Sequence, residues 1–495
     1  MKKALFILLC LALLALLPAC GEPEPETDPA VINHQQFLSE TIYIGSVLPL
    51  TGADSERAAL LQAAQQTAAD VINGAHEEID WDMAKNAGVA GYGGAWVELV
   101  CVDCGVDEAA AAAQKTTQPA ANAQPAANTQ PAANTQPAAN TQPAANTQTA
   151  NTQPTENITP AELQQLAEEA AAQSAQELID EGVVALIGAY RSAPTAAAAA
   201  VAEKAGRPLI TGTASLDSLT EDESYDFGLW FNRIAPTVDM HNRLFFSYVK
   251  HLNQTQDAGI TRVALAYKDD YFGREVLQSF NEEAAAMGLQ VVARIAYGDE
   301  TDDLATAAAR MMANSPQAVF HYGDPADLSA FARYYGGAKF HPRAAFCYDV
   351  SFQDPAFREA VTGAKAEYWY GLSATLTRDD DGEEGTISSD VSDIIRGDDD
   401  IFYFINGIYR NKTGRDMDNE ALYDFAAVML IAQAAAAAGT TEPERLATAL
   451  REGDFDAPYL AAGHISFSEL GQNRVSAGFL TNLTADGEEL AFQPE

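Results

Sequence analysis

The chain has 495 residues, and 70 Asp+Glu against 29 Lys+Arg leave it a formal charge of −41. An excess that large repels phosphate, so partners such as nucleic acid or anionic lipid held by charge are excluded. The length allows roughly two to three domains, and a 47% apolar share with 9% aromatics, though swollen by Ala runs, describes a folded protein.

At the N-terminus, Lys2-Lys3 precede an apolar stretch over residues 4–17, too short to span a bilayer but suited to a secretory signal at 1–19. It ends Leu17-Pro18-Ala19-Cys20-Gly21, which looks like a bacterial lipobox with Cys20 as the lipidated residue; an ordinary signal with an incidental Cys is the alternative. Residues 20–40 open on alternating Glu and Pro and read as a stiff acidic stalk. The folded part then sits outside the cytoplasmic membrane, anchored to it by lipid.

The first strand is expected at 41–48, followed by a helix at 56–73 that buries Leu60, Ala64, Ala68 and Val71 or Ile72. A second strand over 96–103 carries Cys101, with Cys104 three residues on. Residues so spaced on a strand face opposite ways, which is poor geometry for a disulfide or a shared metal. With Cys347 that leaves three thiols whose pairing stays open, and no redox or metal motif. Residues 117–156 then repeat Gln-Pro-Ala-Ala-Asn-Thr, with nothing larger than Ala to bury, so 108–158 is read as a disordered insert. Thr159-Pro160-Ala161-Glu162 restarts the fold as an N-cap, an N1 proline and a capping-box Glu.

Short strands at 183–187, 208–211, 262–267, 289–296, 318–321 and 344–348 alternate with helices such as 195–205, 273–287 and 302–312. Continuous apolar strands between amphipathic helices indicate parallel sheets covered on both faces. Two such sets flank Arg233-Ile234-Ala235-Pro236, so the fold class is α/β with two doubly wound lobes. Ligands of such sheets lie beyond the carboxyl ends of the strands. There Ser192 precedes a helix whose first N–H groups, with its hydroxyl, can hold a carboxylate, unless it only caps that helix. Thr213 and Ser215 offer further donors at the next strand end. The acidic runs at 378–384 and 397–400 lack the spacing of a calcium loop and read as solvated. No G-x-S-x-G nucleophile motif is present.

Several segments carry a family likeness in order: Ile44-Gly45-Ser46-Val47-Leu48-Pro49-Leu50-Thr51-Gly52; Ala69-Asp70-Val71-Ile72-Asn73; Val184-Ala185-Leu186-Ile187-Gly188 with Ser192 and Thr195; Arg207 to Ser215; Phe231-Asn232-Arg233; Asp269-Asp270-Tyr271-Phe272-Gly273; Tyr423-Asp424-Phe425; and His464-Ile465-Ser466-Phe467. Over residues 41–480 apart from the repeat, the chain resembles the extracellular solute-binding proteins of branched-chain amino-acid ABC transporters. The resemblance implies two Rossmann-like lobes of the type 1 periplasmic binding protein fold, joined by three crossovers near 235–236, 372–373 and 464–465. Lobe one would hold 41–236 plus 372–462, and lobe two 237–371 plus 463–495.

It further implies a monomer without cofactor or catalysis that closes on a small amino-acid-like ligand and delivers it to an ABC permease. A sensory receptor of the same fold, or a binder of an amide, urea or aromatic acid, is the alternative. By likeness, Ser192, Thr213 and Ser215 bind the ligand α-carboxylate, and Asp349 pairs with its ammonium or only starts a turn. Phe272, with Tyr271 beside it, lies over the ligand. Arg57 contacts its side chain, favouring an acidic or polar ligand, or points to solvent. Arg191 stands where relatives often carry a disulfide partner, which leaves Cys104 without one there.

Overall fold

The computed structural model describes residues 41–107, 158–221, 225–298, 301–348, 350–364, 368–374, 399–475, 478–484 and 487–493. The signal, Cys20, the stalk, the repeats, Asp349, the acidic run 378–384 and the side chain of Tyr271 lie outside the described residues.

Five strands form a wholly parallel first sheet: β1 (Thr41–Leu48), β2 (Trp96–Asp103), β3 (Ala185–Gly188), β4 (Leu209–Thr211) and β5 (Phe231–Arg233), in the order β2-β1-β3-β4-β5. Side-chain alternation along β1 explains why both faces need cover. Ile42 and Ile44 enter a core shared with the helices Ser55–Asn73, Asp399–Thr413 and Asn419–Ala438. Val47 enters the opposite core, with Leu186 and Leu209, beneath Pro160–Asp180 and Ser192–Ala205. Each Leu, Ile or Val fully buried this way contributes about 1.5–3 kcal/mol.

The second lobe repeats the plan. Its strands begin with β6 (Arg262–Lys268), β7 (Gln290–Tyr297), β8 (Ala318–Tyr322), β9 (Ala344–Cys347) and β10 (Trp369–Ser373). A separate antiparallel pair, β11 (Asp454–Ala457) and β12 (Gly463–Ser466), precedes β13 (Phe479–Thr484) and β14 (Gly487–Phe492). The large sheet runs β14-β13-β10-β9-β8-β6-β7, parallel except at β13 and β14. In β6, Val263 and Leu265 go to one core and Ala264 and Ala266 to the other.

The capping box forms as read: Thr159 Oγ1 accepts from the Glu162 N–H, and the Glu162 carboxylate accepts from the Thr159 N–H at 2.9 Å. The first long helix begins at Ser55, and Leu61 rather than Leu60 is its fully buried leucine, Leu60 being half-buried. The Ala-rich helix Asn419–Ala438 is long and apolar enough to cross a membrane, but 78% of its most apolar window is buried within the protein, so it is a core helix.

The chain leaves the first sheet after β5 and the second after β10, with Leu372 in one core and Ala374 in the other. The third crossing lies later than expected. His464-Ile465 remains in lobe one, because β12 pairs with β11 and Ile465 and Phe467 join the first core. The second sheet is re-entered only at β13. A local hairpin and a crossing strand carry the same alternation, which is why the sequence misplaced it.

Candidate functional site

Beyond the end of β3, Arg191 is within electrostatic reach of Tyr322 at the end of β8 and of Asp270 beyond β6, so these strand ends of the two lobes approach one another. At the end of β3, Gly188 has φ +117, and a Cβ there would stand 2.2 Å from the Val47 carbonyl oxygen, so only glycine lets β3 end against β1. Arg191 takes φ 67 and turns the chain into the helix Ser192–Ala205. Pro194, third in that helix, lacks an N–H, which leaves the amides of Ser192 and Ala193 as first-turn donors.

Ser192 does not cap its own helix. Its buried hydroxyl accepts from the N–H groups of Ser215 and Leu216, both at 3.2 Å, and so ties the loop after β3 to the loop after β4. The Thr213 hydroxyl donates to the Ala189 carbonyl at 3.1 Å, and the Thr195 hydroxyl reaches the same oxygen at 2.6 Å. The Ser215 carbonyl accepts from the Val238 N–H at 2.9 Å, at the start of the first helix of lobe two. The three expected hydroxyl residues are therefore brought together in one connected patch beside the first crossover.

Arg233 anchors that crossover. Its fully buried guanidinium donates to Gln472 Oε1 at 2.6 Å, to the carbonyls of Leu216 and Ala214, and to Thr220. Burial pushes it down to about 10 against the opposing pull of Asp217, Glu221 and Glu275. At the second crossover, Asn419 accepts from the Ala374 N–H and donates to the Leu372 carbonyl, each at 2.9 Å. Its own N–H donates to Gln353 of lobe two at 2.8 Å. Sequence reasoning singled out neither Asn419 nor Gln353, since their partners are remote in the chain.

On the lobe-two wall, Tyr271 opens the helix Tyr271–Ala286, and Asp270 caps it by accepting from the Gly273 N–H at 2.7 Å. Burial raises the Asp270 carboxyl above its ordinary value, opposed by that N–H, by the Tyr322 hydroxyl donating at 3.1 Å, and by Arg191 and Lys268. The half-buried Phe272 lies 4.8 Å from the Tyr322 ring. It packs against a core of lobe two and also a core of lobe one, so this ring bridges the two lobes. Asp270 and Tyr322 were not singled out, though both lie at strand ends, where ligands of such sheets are held.

Arg57 does not point to solvent but is held between two carboxylates. It donates Nε to Glu420 and Nη2 to Asp418, both at 2.8 Å, with a further contact from Nη1 to Asp418. Burial opposes its charge, yet the two carboxylates hold it well above its ordinary value. Arg191 pairs with Asp54 at 2.8 and 3.1 Å, and its guanidinium lies 5.2 Å from the centre of the Tyr190 ring. Cys101 and Cys104 are free thiols, and the buried Cys347 lies against the Tyr348 carbonyl at 3.7 Å. Among the described residues no group of three or more His, Cys, Asp or Glu is placed to hold a metal.

A family model described as periplasmic binding protein matches residues 164–488. Among solved structures, the chain is similar to the branched-chain amino acid transporter substrate binding protein LivJ of Streptococcus pneumoniae, in complex with isoleucine. Identity is 18% and the TM-score 0.59, with 91% of this chain and 99% of that one covered. It is similar to the leucine binding protein LivK of Thermotoga maritima at 16% identity and TM-score 0.57, covering 91% and 98%. An ABC transporter solute binding protein of R. palustris in complex with benzoate aligns at 14% identity and TM-score 0.59, covering 91% and 95%. At such identities the likeness shows the fold. No curated relative is matched.

Proposed function

Because the chain belongs to the periplasmic binding protein family, we propose that it captures a small amino-acid-like ligand outside the cell membrane and delivers it to an ABC permease. The observation that carries this reading is the connected patch of Ser192, Thr213 and Ser215 on one wall, facing the Phe272 ring on the other. Hydroxyls and the first amides of Ser192–Ala205 suit a carboxylate, since a helix start presents donors and a favourable dipole. Asp349, two residues after the end of β9 in the chain, supplies the carboxylate for the ligand ammonium in this reading. Phe272, with Tyr271, covers the ligand. Contacts from both lobes exist only when they meet, so ligand shifts the population toward closure. Cys20 tethers the protein through lipid, and no catalytic step is part of the reading.

A second reading, an aromatic-acid binder, is favoured by the likeness to the benzoate complex. Isothermal titration with leucine, isoleucine and benzoate separates the two. Asp349→Ala should abolish amino-acid binding while thermal unfolding stays nearly unchanged. An unaltered dissociation constant in that variant refutes the ammonium assignment.

A further inference from the structure

The large apolar side chains exposed among the described residues are Tyr43, Trp96, Leu229 and Leu470, at 43%, 44%, 38% and 55%. Apolar groups scattered singly on a surface need no explanation, but these four stand at one end of one sheet. Trp96 opens β2, and Tyr43 is the third residue of β1. The parallel register sets Thr41 beside Trp96 and Tyr43 beside Glu98, so Trp96 and Tyr43 share a face. Pro160–Asp180 covers that face only as far as Gly45, against which its Leu178 lies, and leaves Tyr43 exposed. Trp96 also borders a notch of about 340 Å³ lined by Thr41, Asn73, Val97 and Glu98. At the other edge, Leu229 stands two residues before β5, and Leu470 runs beside it because Gln472 pairs in parallel with Arg233. The Arg451 guanidinium ties these two loops, donating to the Gly228 carbonyl at 2.9 Å and to the Glu469 carbonyl.

Every strand of this sheet is parallel, so its amino ends lie together, away from the strand ends that form the crevice. Four strand spacings, about 19 Å, separate the two edges, and the length of β2 sets them roughly 26 Å from the carboxyl ends. The forty residues before Thr41, Cys20 among them, enter at this same end. Trp and Tyr join an apolar ring to a polar edge and favour the boundary of a bilayer, where Leu also buries its side chain. The charge of −41 opposes a second copy of the chain on this face.

We propose that the amino end of the first sheet is a footing on a lipid surface. Trp96 and Tyr43 at one edge, and Leu229 and Leu470 at the other, enter the headgroup boundary together. The proposal takes from the proposed function the lipid tether at Cys20, which holds this end near the bilayer and lets a weak contact suffice. The contact is apolar and needs no anionic lipid, which the net charge repels. Seated so, lobe one keeps its carboxyl strand ends, and with them the crevice, toward the medium from which ligand arrives.

The full chain, isolated from membranes and placed on phosphatidylcholine vesicles with brominated acyl chains, tests this through tryptophan quenching. Trp81 and Trp369 are buried and Trp230 is half-buried, so Trp96 is the main reporter. Brominated lipid should lower the emission, and Trp96→Phe should remove at least half of that drop. Leu229→Ser combined with Leu470→Ser, a sheet's width away, should also halve it while ligand affinity stays unchanged. No quenching, quenching unmoved in Trp96→Phe, or quenching that needs added phosphatidylglycerol overturns the footing. So does a Trp96 already shielded from acrylamide without vesicles, as a second copy or residues 31–40 lying over it would produce. The mass of the N-terminal peptide reports the tether separately: lipid on Cys20 without quenching keeps the tether and ends the footing, and quenching without that lipid does the reverse.

Discussion

Two buried titratable groups, one in each lobe, should give the protein opposed pH responses that mask one another. Asp424 is 1% exposed, and a single donor, Gln65 Nε2 at 2.7 Å, serves its carboxylate. Burial pushes it from 3.8 up to about 7, outweighing Gln65 and Arg57. A carboxyl raised on folding contributes stability below its unfolded pKa and loses it as pH climbs toward the folded one. His321, fully buried on β8, has Tyr335 at Nε2 and no partner at Nδ1, and burial drops it from 6.5 to about 3. Its contribution is complete above 6.5 and is lost as pH falls toward 3. Each slope is about 1.4 kcal/mol per pH unit, of opposite sign, so between about pH 4 and about pH 6.5 they cancel to within their overlap. Asp424→Asn keeps an acceptor for Gln65 but cannot ionise. Urea unfolding across that window should show this variant gaining about 3 kcal/mol on the native chain as pH rises. His321→Phe should gain on it by a similar amount as pH falls. Variant-minus-native differences that stay constant over the window would refute the argument for that group.

Two further expectations follow from close contacts. Gly212→Ala puts a methyl 2.7 Å from Asp424 Oδ1 and 2.9 Å from its backbone nitrogen; overpacking of this kind costs about 1–3 kcal/mol, to be read from urea midpoints, and no loss would show that the helix Asn419–Ala438 can shift. The buried Cys104 thiol is pushed up to about 12 by burial and by Asp103. Maleimide labelling of the folded protein at neutral pH should therefore modify the half-buried Cys101 first and leave Cys104 intact until unfolding, as mass spectrometry of digests would show.

Most strands were legible because a parallel sheet covered on both faces leaves runs such as Val263 to Tyr267 with no polar interruption. Those not read as strands were the short β5, β10, β11 and β12, and β13 and β14, where Thr481, Asn482 and Glu488 break the apolar run. In Ser55–Asn73 the buried Ala64, Ala68, Val71 and Ile72 were legible, and only the start and Leu60, in place of Leu61, were off by one, because Ala on several sides blurs a helical period. Phe272 was singled out only through the likeness of its segment to a family motif. The partners of Arg57 were not legible, since its carboxylates lie 361 and 363 positions away. Ser192 shows the same limit: a serine before a helix looks like a cap, and only the fold brings the loop after β4 within reach of its hydroxyl.

The outer edge of β5 is finished from far along the chain. Arg233 donates its N–H to the Gly471 carbonyl, and its own carbonyl accepts from Asn473. Its guanidinium also depends on Gln472, 239 positions later. A growing chain that has made all five strands of the first sheet still presents a bare edge and an arginine short of an acceptor in its interior. Contacts of such sequence separation form late, because the loop between them must close first. Biogenesis of lobe one is thereby timed to residues 471–473, and a nascent chain halted before them should remain loose and open to proteases. For a polypeptide threaded through a membrane before it folds, that delay keeps it transportable for most of its length.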